Sequence, residues 1–437
     1  MNRFASNSIA RVECIDEWTT KIFEGVSLSS EDRRLVNELT ETKKLEIDDL
    51  TIGLRVRSKS WIGVVRLSGL EIQVHPKLSG DNVRVIEMIE MTQGLDILKR
   101  MPGLREIDTT GKSLVDLLAM MLIHETERLV RGGLLSDYVE RVDDLPVVRG
   151  RIMADRQILE RFGQVDKVIC QFDDRSQDIP ENQLLTIGTQ LCSRFASSAA
   201  LRRKSRELVH ILHQTCNPSA FDIRLGESQL AYNRMNSIYK DAHQLCWLII
   251  KMCGVKDFFE SSTIKSFAFM LNMNLLFEEF IYSAVKQVLS SKEWIVSKQD
   301  STKSIVWNAT RNRSYARVRP DIVIRNRLCN SALTVDSKYK LYDFKKISSA
   351  DIYQSFLYAF GYQYGKDGNT PRSVLVFPTT GQQPSSVSLE VRAPDKKHLA
   401  TVQAIGIQIP ELIDELVAYG NGPNTIRLRQ IVSKTLV

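Results

Sequence analysis

Two acids and one lysine stand out in the stretch RPDIVIRNRLCNSALTVDSKYK, Arg319 to Lys340: Asp321, Asp336 and Lys338. On a strand, side chains two apart share a face. Asp336 and Lys338 would therefore point one way and Ser337 the other. Asp321 leads an apolar run, and RNRLCNSA is a plausible hairpin connection to the next one. That pairing would bring Asp321 and Asp336 to neighbouring positions at one sheet edge. Two carboxylates held there form a hard oxygen site suited to Mg²⁺. Lys338 would face water or phosphate at the metal and steady developing negative charge. The plainer alternative for Asp336 and Lys338 is an exposed ion pair, which contributes little.

Further residues fall around this set. Glu278 and Glu279 interrupt an apolar helical series, Leu275, Leu276, Phe280 and Ile281. A carboxylate on a mostly buried helix needs a partner, and a metal would be one. Adjacent residues cannot both face the site, so one of the two acids lies on the helix edge. Gln354 and Tyr358, four apart on a helix, share a face and could contact DNA backbone or the water at the metal. Residues 298–346 hold twelve basic and four acidic side chains, +8, against −1 for the rest of the chain. A localised basic patch is the footprint expected for a polyanion, with nucleic acid first. Arg317, Arg319, Arg325 and Lys340 are its candidate contacts to the DNA backbone.

The elements that must position these residues are legible in outline. Residues 50–78 alternate with a Ser68-Gly69 turn, as a half-buried antiparallel sheet does. Residues 1–80 are read as a small β-rich domain with some helix in 28–45. Helices are expected at 83–98, at 112–131 with Thr110 or Ser113 as cap, at 180–195 started by Pro180, at 197–215 and at 231–253. Strands joined by turns interrupt them at 132–152. Residues 81–260 are thus a mainly helical domain with a β insertion. From 261 the expected order is one long helix over IKSFAFMLNMNLLFEEFIYSAVKQVL, then strands at 293–298, 303–308, 320–326 and 332–339. A helix at 349–364 and strands at 372–378 and 388–394 follow. The whole reads as a multidomain α+β chain whose last part is an α/β layer.

Composition removes several classes. At 437 residues, 43% hydrophobic and 25% charged, the chain is ordinary for a folded protein. No apolar run approaches the roughly 20 residues that span a bilayer. The start MNRFASNSIARVECIDEW has no apolar core of a secretory signal. Seven scattered cysteines without a C-x-x-C pair argue for a reducing cytoplasm. His210, His213 and Cys216 fit a packed helix better than a metal site. TTGKS at 109–113 has Glu106 where a phosphate loop needs its first glycine, so it reads as a helix start.

The order Glu278, Pro320-Asp321, Asp336-x-Lys338, Gln354-x-x-x-Tyr358 resembles the PD-(D/E)xK nuclease superfamily, and its last motif the RecB-type branch. The match extends upstream. HPKL, LLAMMLIHETERLVRGGLLSDYVERVDDLPVVRGRI, FDDRSQDIPENQLL, LLFEEF, RPDIVI, VDSKYK and DIYQSFLYAFGY are similar, in that order, to blocks of the McrC family. They cover the chain from about Lys77 onward. The resemblance implies the nuclease subunit of a modification-dependent, 5-methylcytosine-type restriction system. It implies a partner, an McrB-like hexameric AAA+ GTPase whose activity the subunit stimulates, and cleavage of double-stranded DNA with Mg²⁺. Asp321, Asp336 and Glu278, the first Glu of the LLFEEF block, would then hold the metal. Lys338 would assist the attacking water, and Gln354 and Tyr358 match the auxiliary motif. Ser337 stands where the family often has Ala, and on a strand it would point away from the site. The segment 132–152 is a candidate for stimulating the GTPase, or simply a structural hairpin. A non-cleaving GTPase-activating adaptor and a stand-alone RecB-type nuclease are the alternative readings.

Overall fold

Alternating apolar residues do build the head of the chain as strands. In the computed structural model these are β1 (Arg11–Asp16), β2 (Thr20–Glu24), β3 (Glu46–Leu50), β4 (Gly53–Arg57), β5 (Trp61–Arg66) and β6 (Leu70–His75). The structure describes residues 11–101, 112–164, 166–253, 266–289, 293–299, 306–328, 332–342, 346–363, 370–381, 386–418 and 421–433. Part of TTGKS, 109–111, the first half of the strand expected at 303–308, and residues 329–331 of the expected hairpin connection lie outside them. The helix Ser30–Glu41 begins with a capping box, Ser29 and Asp32 each satisfying the other's backbone N–H. Its Val36 and Leu39 join Phe23, Leu54, Val56 and Ile72 in one apolar core.

Contacts divide the chain into two compact units. One is Met1–Gly111 together with Lys265–Val437; the other is Lys112–Ile264. The second unit packs the helices Leu114–Gly132, Pro180–Phe195, Ala199–His213 and Lys240–Cys253. Leu117, Leu118, Leu122, Leu184, Leu185 and Leu245 are fully buried there. Ser113 is the cap of the first helix, accepting from Asp116 N, and Pro180 stands in the first turn of the second. From this unit come β7 (Asp137–Leu145), β8 (Arg151–Ile152) and β9 (Val168–Ser176), in the order β7-β9-β8. The short helix Ala154–Glu160 between β8 and β9 buries none of its residues.

The first unit resumes differently from expectation. The expected long helix begins instead as a strand, β10 (Phe267–Asn272), and only Met273–Val288 is helical. β10 pairs antiparallel with β5, completing the sheet β1-β6-β5-β10. A short apolar run cannot by itself distinguish strand from buried helix; here the open edge of β5 decides. Gly63 makes the pairing possible, since a Cβ there would meet Phe269 O at 2.0 Å. The three segments expected from sequence are therefore not the units of the contacts: head and tail share one sheet.

The tail builds a second sheet from β11 (Trp294–Lys298), β14 (Ile322–Asn326), β15 (Ala332–Ser337), β16 (Arg372–Pro378), β17 (Ser386–Arg392) and β18 (His398–Ile407), with the hairpin β12 (Val306–Asn308) and β13 (Arg313–Ala316) apart from it. The order is β11-β14-β15-β16-β18-β17. β14 and β15 run antiparallel; β15, β16 and β18 run parallel. The helix Ser349–Gln363 makes the β15-to-β16 crossover, as a parallel pair requires. The protein is thus a mixed α/β chain with several sheets. Among the described residues, no helix is long and apolar enough to cross a membrane.

Candidate active site

The β14–β15 register brings the two acids together. Ile322 opposes Val335, so Asp321, just before β14, comes level with Asp336 near the end of β15. The charge of Asp336 acts directly on the Asp321 carboxyl. Asp336 is 1% exposed. Lys338 Nζ stands 2.8 Å from Asp336 Oδ2 as an ion pair. Asp336 Oδ1 has no hydrogen-bond partner among the described residues. A buried carboxylate oxygen left in that state calls for a cation or a proton.

Electrostatics agree with that geometry. Burial, then the charge of Asp336, raises the Asp321 carboxyl above the ordinary carboxylate range. Burial raises Asp336 as well, against the pull of Lys338. Burial opposes the charge on Lys338, but Asp336, Asp321 and Asp351 outweigh it and hold the ammonium above its usual pKa. Asp336 and Lys338 are thus a largely buried pair beside Asp321, not the exposed ion pair that was the alternative.

Ser337 corrects an expectation. It does not point away from the site: its N and Oγ donate to Asp321 Oδ2 at 2.8 and 3.2 Å. The reason is that Asp321 lies before β14, off the pleat. Its side chain is free to reach the end of β15 at Ser337.

Glu278 and Glu279 part company. Glu279 pairs with Lys298. Glu278 is raised by burial and then by the nearby charge of Asp321, and its Oε1 accepts from Gln299 Nε2 at 2.6 Å. Glu278 is therefore the acid near the pair, but not a third member of it. Among the described residues no group of three or more His, Cys, Asp or Glu side chains is placed to hold a metal ion. Gln299, which the sequence did not single out, ties this corner together. Its N donates to Asp321 O at 2.9 Å, and its Oε1 accepts from Arg319.

Gln354 and Tyr358 meet each other before anything else. Gln354 Nε2 donates to Tyr358 Oη at 2.7 Å, and Tyr358 Oη donates to Arg319 O at 3.1 Å. Tyr358 is buried with Val318 and Val323. The two residues brace the backbone that leads into Asp321.

The basic candidates also separate. Lys340 Nζ binds both oxygens of the buried Asp351, at 2.9 and 2.8 Å, so it is committed to a structural pair instead of facing DNA. Tyr342 and Ser348 hydroxyls donate to the same carboxylate, and these partners together keep it below its usual pKa despite burial. The S-x-x-D signature of a capping box at 348–351 was the available signal for Asp351. Arg325 lies half-buried with Nη1 3.5 Å from Ser297 Oγ. Arg317 and Arg319 are exposed.

Behind the site, Tyr339 turns inward and donates to Glu17 Oε2 at 2.8 Å. Lys77 N, in the HPKL block, donates to the same oxygen at 2.9 Å. Burial pushes the Glu17 carboxyl up to about 7. Tyr339 also packs against Phe277 on the helix that carries Glu278. Sequence reading missed Glu17 and Tyr339, because nothing in spacing signals a contact across more than three hundred residues.

Fold and site together define a multidomain α+β protein whose second sheet carries a buried carboxylate pair with an adjoining lysine. The chain belongs to the McrBC 5-methylcytosine restriction system component family, whose sequence model matches residues 56–378. A curated relative, the type IV methyl-directed restriction enzyme EcoKMcrBC of Escherichia coli (strain K12), is 23% identical over 293 residues, 61% of this chain and 78% of its own length. Among solved structures, the fold is similar to a chain of the half-complex from the tetradecameric assembly of Thermococcus gammatolerans McrB AAA+ hexamers with bound McrC. That likeness has a TM-score of 0.63 at 14% identity, covering 97% of this chain and 100% of the other.

Proposed function

We propose that this protein is an McrC-like, Mg²⁺-dependent DNA endonuclease subunit of the PD-(D/E)xK type, and that it stimulates an McrB-like AAA+ GTPase in the cytoplasm. The observation that carries the reading is the buried Asp336, with an unpartnered Oδ1, set beside Asp321 and Lys338. The donor set fits Mg²⁺, which takes hard oxygens and commonly only one or two carboxylates, with water and phosphate completing the shell. Asp321 and Asp336 would hold it, with Glu278 a candidate for an outer position. Bound there, Mg²⁺ supplies Lewis acidity at a phosphate oxygen and neutralises the carboxylate pair.

The chain's own groups do the rest. Lys338 stays charged and stands over Asp336, where its ammonium can stabilise negative charge developing on the phosphoryl oxygens during hydrolysis. Ser337 fixes the Asp321 carboxylate through Oδ2. Gln354 and Tyr358 hold the Arg319 carbonyl, and so the chain entering Asp321. Arginines on phosphates position DNA without reading it, so recognition of the modified base falls to the partner.

A second surface supports the partner. Tyr138 on β7, Val147 between β7 and β8, Leu159 on the helix Ala154–Glu160 and Phe162 just after it are 72, 74, 83 and 85% exposed. Large apolar side chains gathered in water mark an interaction site. An Asp336→Ala variant tested with the cognate motor should lose DNA cleavage and keep GTPase stimulation. Undiminished cleavage would overturn the site assignment. Cleavage absent from the wild type, with stimulation intact, would make the protein an adaptor.

A further inference from the structure

The hairpin β12–β13 stands out from the sheet that carries the site. Among the described residues its two strands pair only with each other, and every residue of β13 is exposed. A lone two-stranded hairpin is marginal in water, yet this one also presents Trp307 at 55% and Tyr315 at 73% exposure. The register slips between Val306 and Trp307, leaving Tyr315 without an opposite residue. Such a bulge re-aims a side chain outward. Residues 306–319 contain four arginines, at 311, 313, 317 and 319, and no acid.

The hairpin is also rooted at the site. Its incoming chain passes Gln299, which donates to Asp321 O. Its outgoing chain passes the buried Val318 and then Arg319, whose carbonyl Tyr358 holds. Gln299 before the hairpin and Arg319 after it are therefore both fixed beside Asp321, while β13 is exposed and β12 partly so.

We infer that β12–β13 is a DNA-gripping arm of the nuclease site, with Arg311, Arg313 and Arg317 on backbone phosphates and Trp307 and Tyr315 seated against backbone sugars near the scissile bond. This rests on the nuclease reading and adds an element to it. Charge complementarity selects the occupant: arginines interleaved with aromatic rings, without acids, suit a polyanion whose sugars also offer apolar surface. A partner protein is the competing occupant. The arm explains how a site whose own lysines are engaged, Lys338 by Asp336 and Lys340 by Asp351, can hold duplex DNA.

The test is binding of a labelled DNA duplex to the full chain carrying Asp336→Ala, by fluorescence anisotropy over a salt series, with melts to confirm folding. Adding Arg311→Gln, Arg313→Gln and Arg317→Gln should lower the slope of log affinity against log salt by about 3, near 0.9 per lost phosphate contact. Adding Trp307→Ser and Tyr315→Ser should weaken binding roughly tenfold, through lost apolar burial, with the slope unchanged. Stimulation of the partner GTPase should be unaffected by either set. Unchanged affinity and slope would overturn the arm, as would no binding by the parent chain at low salt. Loss of GTPase stimulation with DNA binding intact would also overturn it and assign the hairpin to the partner. None of these readouts requires cleavage, so a failed nuclease reading would show separately, as wild-type cleavage that survives Asp336→Ala.

Discussion

At the scale of residues, the carboxylate pair makes an unfavourable charge useful. Without metal, Asp321 is raised above the unfolded carboxylate value by burial and by Asp336. The folded state then binds a proton more tightly than the unfolded one, so this group's contribution is most favourable at acid pH and is lost as pH rises through the folded value. Asp321→Asn keeps an oxygen for Ser337 and removes the repulsion. Metal-free melts at pH 8 should show the variant more stable than wild type by roughly 1–3 kcal/mol, with the gap closing toward pH 5. Its DNA cleavage should fall on the order of a hundredfold or more. A variant less stable than wild type at pH 8 would mean the pair does not repel. Asp321, Asp336 and Lys338 were legible because strand spacing and a hairpin set their register. Ser337 was misread because Asp321 lies just off the strand, where the period of two no longer applies. The Lys340 pairing was not legible, because its partner, Asp351, lies 11 positions further along the chain.

At the scale of elements, β15 is held from both faces. One side presents Asp336 and Lys338; the next residue, Tyr339, is anchored on Glu17 of the head. Tyr339→Phe leaves Glu17 Oε2 with one donor fewer and should cost about 1–3 kcal/mol, read by thermal or urea unfolding. Glu17 titrates near 7 in the folded state, above its unfolded value, so its contribution is present in acid and lost as pH rises through about 7. Glu17→Gln should therefore flatten the stability of the protein between pH 5 and 8. A pH profile identical to wild type would show that Glu17 does not titrate there. Most helices and the strands at 70–75 and 372–378 were visible from period and caps. β10 was not, because FAFMLN buries residues on both sides and its pairing is fixed by β5, two hundred positions earlier.

At the scale of the molecule, the first unit is built from two distant stretches of chain with the second unit between them in sequence. The joint is tight at Gly63, whose φ of 137° few other residues adopt and whose Cβ position is taken by the backbone of β10. Gly63→Ala should destabilise the first unit by on the order of 3 kcal/mol or more, and melts should show it. A neutral outcome would mean that β5 and β10 can separate without cost. The shared sheet also sets an order of events while the chain is being made. Roughly 200 residues separate β5 from β10, which at about 5–20 residues per second takes the ribosome some 10–40 s. Throughout that interval β5 waits with an apolar edge unpaired, a template for wrong partners. The helical unit emerges complete during the same interval, and the strands bearing Asp321 and Asp336 come only afterward. A cell making this protein meets the proposed motor-facing part well before it meets the proposed cutting site.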